Sequence, residues 1–287
     1  MINFLKYRFV YFAISGTVIC LGLFSIMRWG FRYSIDFVGG SNLEYRFDKK
    51  INLKDVKTIF VKDKIEVVDI KQQNKDLFVR TKAIDEKKET QLKKDLEKSL
   101  KTKITILRSE TVGPTLGKET VKKTFIASGI AIIGILLYMS FAFKSFNFAL
   151  SAVLAMIHDF LVVIGTYSLM SHFFGAELDT LFVTAILTTM SFSVHDTIVI
   201  FDKIREYVKT EGSGDIEYYS NRALNETLVR SVNNSMTIIF MLLALTLLGG
   251  STIKFFVFTL LVGTITGTYS SPFVATPILV WLEKRKR

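Results

Sequence analysis

Asp196 occupies a position where a charged side chain is hard to keep. With His195 it lies in Ser191–Glu206 (SFSVHDTIVIFDKIRE), a stretch that begins inside an apolar run. An ionisable group at the bilayer centre costs about 2.5–3.5 kcal/mol on insertion scales, so such a group is retained when it is paired, faces a bundle interior, or handles ions or protons. A second pair, His158-Asp159, sits in an earlier apolar run, and Arg230, Asn233 and Asn234 sit near the start of a later one. A carboxylate that alternates between an Arg partner and protonation couples proton passage to helix movement, because the pair attracts only while Asp is ionised. Asp196, Arg230, Asp159, His195, Asn233 and Asn234 are therefore read together as a proton relay; sodium would suit Asp196 equally well. The same residues also admit a static ion pair that steadies the bundle, and His158 reads equally as a hydrogen-bonded packing residue. One proton crossing 100 mV releases about 2.3 kcal/mol. That biases a hinge severalfold but does not pull a folded domain apart.

Depth supports the grouping. Asp196 follows Leu181 by roughly 15 residues, about 22 Å down a helix rising 1.5 Å per residue. In a hydrocarbon layer of about 30 Å, this leaves it roughly 8 Å from the far edge. Arg230 starts from that edge in the first turn of the next run and reaches similar depth, which predicts an Asp196–Arg230 pair. Asn233 and Asn234 share the Arg230 face and extend a polar path. Asp159 falls nearer the midplane.

These residues need membrane helices to hold them. Of the 287 residues 49% are hydrophobic and 25 are Phe, a composition that leaves long apolar runs with nothing to solvate them. Six runs are long enough to cross a bilayer: about Phe9–Met27, Thr124–Phe143, Phe148–Met170, Thr180–Phe201, Leu228–Gly249 and Phe255–Trp281. The first exceeds a signal-peptide core and lacks a small-x-small cleavage site, so it reads as an uncleaved anchor. Lys6, Arg8, Lys144, Lys203, Arg205, Lys209, Arg222 and Lys284–Arg287 fall on one side of the six runs. By the positive-inside rule both termini are cytoplasmic.

The formal net charge of +11 is mostly juxtamembrane or scattered, which fits contact with anionic lipid heads rather than nucleic acid. The single cysteine, Cys20, permits no intramolecular disulfide. Catalysis has no motif here: HExxH, GxSxG, a cysteine cluster and a GxxxxGK[ST] loop are all missing from the sequence. No metal or cofactor is expected beyond the coupling ion.

Between the first two runs lies a polar segment. Asn42–Phe47 alternates as a strand, Leu53–Phe60 has helical spacing, and Ile65–Ile70 and Leu77–Thr81 are short strands around a polar turn. Glu86–Leu100 is a helix with Leu92, Leu96 and Leu100 on one face and lysines on the other, and Lys103–Leu107 is a final strand. The order β-α-β-β-α-β matches the ferredoxin-like split motif. Residues 1–29 are thus read as N-terminus and span one, 30–122 as an extracytoplasmic ferredoxin-like α+β domain, and 123–287 as spans two to six. The lysine-rich helix face is a solvated surface or, alternatively, a surface for unfolded chain or lipid.

Asp36-Phe37-Val38-Gly39-Gly40 and Val112-Gly-Pro-Thr-Leu-Gly117 bracket this domain, and paired glycines permit the tight turns of a junction. In the last run Gly263 and Gly267 make a small-xxx-small pair, which points to helix packing. Together with His158-Asp159, Ser193–Asp202, Ile204-Arg-Glu206, Asn221–Arg230, Gly267–Ser271 and Ala275-Thr-Pro277, these motifs resemble, over nearly the whole chain, the SecF family of bacterial protein export. That family forms one half of the SecD–SecF complex and is similar to the resistance–nodulation–division transporters.

The resemblance implies a non-enzymatic accessory subunit that uses the proton or sodium motive force in late export. It implies a SecD partner, the SecYEG channel, an unfolded preprotein, and half of a twelve-span pseudo-twofold assembly. It makes Asp196 the proton-binding carboxylate and Arg230 its modulating partner. Three departures stand out: His195 replaces the usual Asn, Ser191-Phe192 replaces Gly-Tyr, and Pro272 replaces an aliphatic residue. A half-transporter for a lipid or small molecule is the alternative on the same fold; the small outer domain and the Asp36–Gly40 match argue against it.

Overall fold

A computed structural model describes residues 2–143, 145–212 and 214–285. Lys144, Lys286 and Arg287, which entered the charge count, lie outside the described residues. The chain divides into two compact units, Met1–Arg32 with Ile126–Arg287, and Tyr33–Phe125.

Six helices are long and apolar enough to cross a membrane: span one Phe4–Trp29, span two Pro114–Met139, span three Phe146–Phe174, span four Thr180–Glu211, span five Ile216–Leu248 and span six Lys254–Arg285. Helices suit such runs because each backbone group bonds within its own segment. Spans four and five reach beyond the apolar limits read from sequence, past Phe201 and back before Leu228. Their polar ends are held together by charge: Arg222 pairs with Glu211 at 2.6 Å, and the Arg222 guanidinium lies 4.3 Å from the Tyr207 ring centroid. Asp215 caps span five by accepting from the Glu217 amide at 3.0 Å. Span six is not one continuous α-helix. Its helix Lys254–Ser270 passes into a π-type turn, Ser271–Ala275, before Thr276–Arg285. Pro272 lacks a backbone N–H and so cannot close an ordinary α-turn.

Spans one and three cross where two glycines meet. A Cβ on Gly165 would lie 2.6 Å from the Gly22 Cα, so neither position has room for a side chain. Close backbone approach of this kind gives membrane helices the packing that water expulsion gives soluble ones. Ser25 and Ser168 hydrogen-bond across the same crossing at 2.9 Å.

The second unit holds β1 (Gly40–Phe47), α1 (Leu53–Lys62), β2 (Val67–Gln73), β3 (Asp76–Thr81), α2 (Glu86–Leu100) and β4 (Ile104–Val112). The sheet order is β2-β3-β1-β4 with every pairing antiparallel. Leu43, Tyr45 and Phe47 alternate on the inner face of β1 and pack with Leu77, Val79, Val56, Phe60, Leu92 and Leu96. Strand β4 continues to Val112, past the Leu107 limit read from sequence. Its polar second half shows no apolar alternation, yet Ser41↔Thr111 and Gly40↔Val112 keep it in the ladder.

Within this unit the two glycine motifs meet. Gly39 and Gly40 take φ of +75° and +135°, and a Cβ on Gly39 would sit 2.8 Å from the Pro114 Cα. A Cβ on Gly117 would meet the Phe37 carbonyl oxygen at 3.0 Å. Asp36 lies in the one-turn helix Ile35–Val38, where its amide donates to the Ser34 hydroxyl at 3.1 Å.

Candidate functional site

Two buried carboxylates organise the interior of the helical unit. Asp159 presents both oxygens inward from span three. Its Oδ1 lies 2.9 Å from His158 Nδ1, while its Oδ2 accepts from Ser270 Oγ at 2.7 Å and from Ser193 Oγ. Two of those donors come from different helices, spans four and six, and glycine packing brings them together. A Cβ on Gly267 would meet the Ser193 Cβ at 2.9 Å, and one on Gly263 would run into the Thr189 side chain. The small-xxx-small face of span six thus seats against Thr189 and Ser193, one turn apart on span four.

Asp196 is 4% exposed and receives Ser231 Oγ on its Oδ2 at 2.7 Å. Hydroxyls continue from there. Ser235 Oγ donates to the Ser231 carbonyl at 2.9 Å, and Thr268 Oγ1 of span six donates to Ser235 Oγ at 2.7 Å. A third contact joins spans four and six, where Thr197 Oγ1 and Ser271 Oγ lie 2.9 Å apart beside the π-type turn. Wide turns of this type recur at functional sites, where they let a helix present side chains that a regular α-helix would turn away.

The predicted Asp196–Arg230 pair is not made. Arg230 is exposed and forms no ion pair among the described residues; Ser231, the next residue, takes the place facing Asp196. Successive residues on a helix point about 100° apart, so correct depth did not guarantee the correct face. Asn233 and Asn234 are exposed like Arg230, and His195 is exposed on span four. The expected relay therefore separates into a buried part, Asp159 and Asp196, and an exposed part, Arg230, His195, Asn233 and Asn234. Sequence reasoning gave no role at the carboxylates to Ser193, Ser231, Ser235, Thr268, Ser270 or Ser271. Ser231 and Ser235 carried a signal: a hydroxyl every fourth residue marks the inward face of span five.

Among the described residues neither buried carboxylate meets a lysine or arginine. That is the chemical character of the site. A serine hydroxyl donates to an ionised carboxylate and accepts from a protonated one, whereas a guanidinium only donates. The arrangement accommodates either protonation state without moving a helix apart.

Six apolar helices around buried polar groups, with an α+β unit inserted after the first, define a multi-pass membrane protein. The C-terminal model of the protein-export membrane proteins SecD/SecF matches residues 91–285, and the SecD/SecF GG motif matches residues 30–51. The chain is 38% identical to protein translocase subunit SecF of Thermobaculum terrenum, covering 99% of this chain and 95% of the relative. It is also 38% identical to the same subunit of Anaerolinea thermophila, with 99% and 94% covered. Among solved structures it is similar to SecDF, a translocon-associated membrane protein from Thermus, with TM-score 0.85 and 32% identity over 99% of this chain. A SecDF structure in a super-membrane-facing form matches with TM-score 0.68 and 30% identity, again over 99% of this chain. The chain spans 39% of the length of each SecDF chain. The chain belongs to the SecF family.

Proposed function

We propose that this chain is a non-enzymatic accessory subunit of the Sec translocase, one that uses the proton or sodium motive force to promote late steps of protein export across the inner membrane. The observation that carries the reading is Asp196: a buried carboxylate in a membrane span, bonded by a hydroxyl and by no cation among the described residues. Such a group is expensive to keep unless it works, and it holds or releases a proton with its hydroxyl partner satisfied in both states. Asp159 supplies a second stop for the ion.

A SecD partner is supported by the exposed polar stripe of span four, Thr184, Thr188, Ser191 and His195, together with Arg230, Asn233, Asn234 and Thr237 of span five. Polar residues in spans face a bundle interior or cavity, so a second half-bundle covers this face, and Arg230 finds its carboxylate there. The strand order β2-β3-β1-β4 supports a ferredoxin-like outer module, extracytoplasmic when both termini are cytoplasmic. The SecYEG channel, an unfolded preprotein and anionic lipid complete the expected partners.

The test is export of a secreted reporter by cells carrying Asp196→Asn, with subunit abundance and SecD association followed in parallel. The expected result is normal assembly with export that stalls late and ceases to respond to membrane potential. Normal, potential-dependent export would make Asp196 a packing residue.

A further inference from the structure

His158 has a role that packing does not require. Its ring bridges two helices: Nδ1 faces Asp159 Oδ1 at 2.9 Å, and Nε2 faces Ser15 Oγ of span one at 2.9 Å. All three side chains are buried, Ser15 at 6%, His158 at 7% and Asp159 at 3% exposure. The line continues beyond the ring. Ser15 Oγ lies 3.5 Å from the Tyr269 hydroxyl, which donates to the Tyr11 carbonyl at 2.9 Å.

Counting donors along this line gives two complete states. With His158 neutral, Nδ1–H donates to Asp159 and the Ser15 hydroxyl donates to Nε2. With His158 doubly protonated, both ring nitrogens donate, to Asp159 and to Ser15, and the Ser15 proton turns toward the Tyr269 oxygen. Tyr269 keeps its bond to Tyr11 throughout. No donor or acceptor in the line is stranded in either state, and one proton converts a pair of charge −1 into a pair of charge zero. Serine hydroxyls occupy the other carboxylate oxygen in both.

We propose that His158 and Asp159 form a second proton-holding site, separate from Asp196, in which Ser15 and Tyr269 act as positioning residues that tie its occupancy to span one. The proposal rests on the proton-coupled reading of the bundle and deepens it by naming where a second proton resides. Among the described residues the titratable side chain that meets this line is Tyr269 of span six, its ring centroid 6.4 Å from that of His158; Asp196 of span four is bonded to Ser231 instead. No lysine or arginine pairs with the site among the described residues. Span one is the helix that the chain follows directly into the second unit. Reversal of the Ser15 hydroxyl therefore changes a polar contact between a proton-holding histidine and the helix leading there.

The experiment is histidine-selective ¹⁵N NMR of the full chain in lipid nanodiscs. Three histidines, His158, His172 and His195, make assignment by single substitution direct. The expected result is that the His158 ring passes between a singly and a doubly protonated form over the pH range in which the chain stays folded. Ser15→Ala should leave that transition present but change the Nε2 shift, and Asp196→Asn should leave it unmoved. A His158 ring fixed in one protonation state across that range, in the unmodified chain, overturns the proposal without reliance on any variant. Loss of the transition in Asp196→Asn also overturns it, since the two sites would then be one. Export by Asp196→Asn cells, a separate readout, decides the proton-coupled reading itself.

Discussion

The carboxylates on the sheet of the second unit and the two buried carboxylates of the spans are held in opposite ways. On the sheet, Arg46 grips Asp76 with two bonds at 2.7 and 2.8 Å, and Arg108 reaches Glu110 at 2.7 Å. These pairs are solvent-exposed, where screening leaves an ion pair little net effect. In the spans, Asp159 and Asp196 are met by hydroxyls and a histidine, out of water, where a bond to a charged group contributes about 1.5–3 kcal/mol. A cation partner fixes a carboxylate as an anion. A hydroxyl partner leaves its protonation free to change, and the two buried carboxylates have hydroxyl partners.

The contrast breaks first where helices touch. Gly165→Leu should leave almost no folded protein in detergent, because the Gly22 backbone occupies the space of the new Cβ; abundance and thermal unfolding of the purified chain measure this. Ser270→Ala and Ser193→Ala should each cost about 1.5–3 kcal/mol by removing a donor from Asp159, whereas Arg46→Ala should cost clearly less, its ion pair being screened by water. Equal losses in the two regions would erase the distinction.

Two smaller effects belong to the second unit. The Tyr45 hydroxyl is buried with no hydrogen-bond partner among the described residues, and burial raises its pKa above the usual phenol value. Tyr45→Phe should therefore stabilise the unit by about 1 kcal/mol, seen as later denaturant unfolding. The smallest effect is acid sensitivity. The Arg46 guanidinium holds Asp76 below the usual carboxylate range. A lowered folded value means that its contribution is complete above the ordinary value of about 3.9 and is lost as pH falls through the lowered one. Asp76→Asn should thus be slightly less stable at neutral pH and converge with the parent in strong acid.

Much of the architecture was legible because it follows from one-dimensional signals. Apolar runs located six spans, and alternation around Leu43–Phe47 and the Leu92/Leu96 spacing located the sheet and its helix. The polar ends of spans four and five were not legible, since ion pairs such as Arg222–Glu211 extend a helix without apolar residues. At the site, sequence conveyed depth but not direction. Arg230 and Ser231 lie at nearly one depth, and only packing against span four decides that Ser231 faces Asp196. Serines were overlooked because a lone hydroxyl has no sequence contrast in a chain with many; Ser193 and Ser270 matter only where Gly267 lets two helices close.

The central claim is that carboxylates bonded by hydroxyls inside the bundle change protonation as the protein works. Infrared difference spectroscopy of the full chain in lipid, with acidification as the trigger, tests it most directly. The account predicts protonated-carboxyl bands that appear on acidification, shift in deuterated water, and lose one component in Asp196→Asn while the folded protein remains. A difference spectrum unaltered by Asp196→Asn would contradict it and leave Asp196 a fixed structural anion.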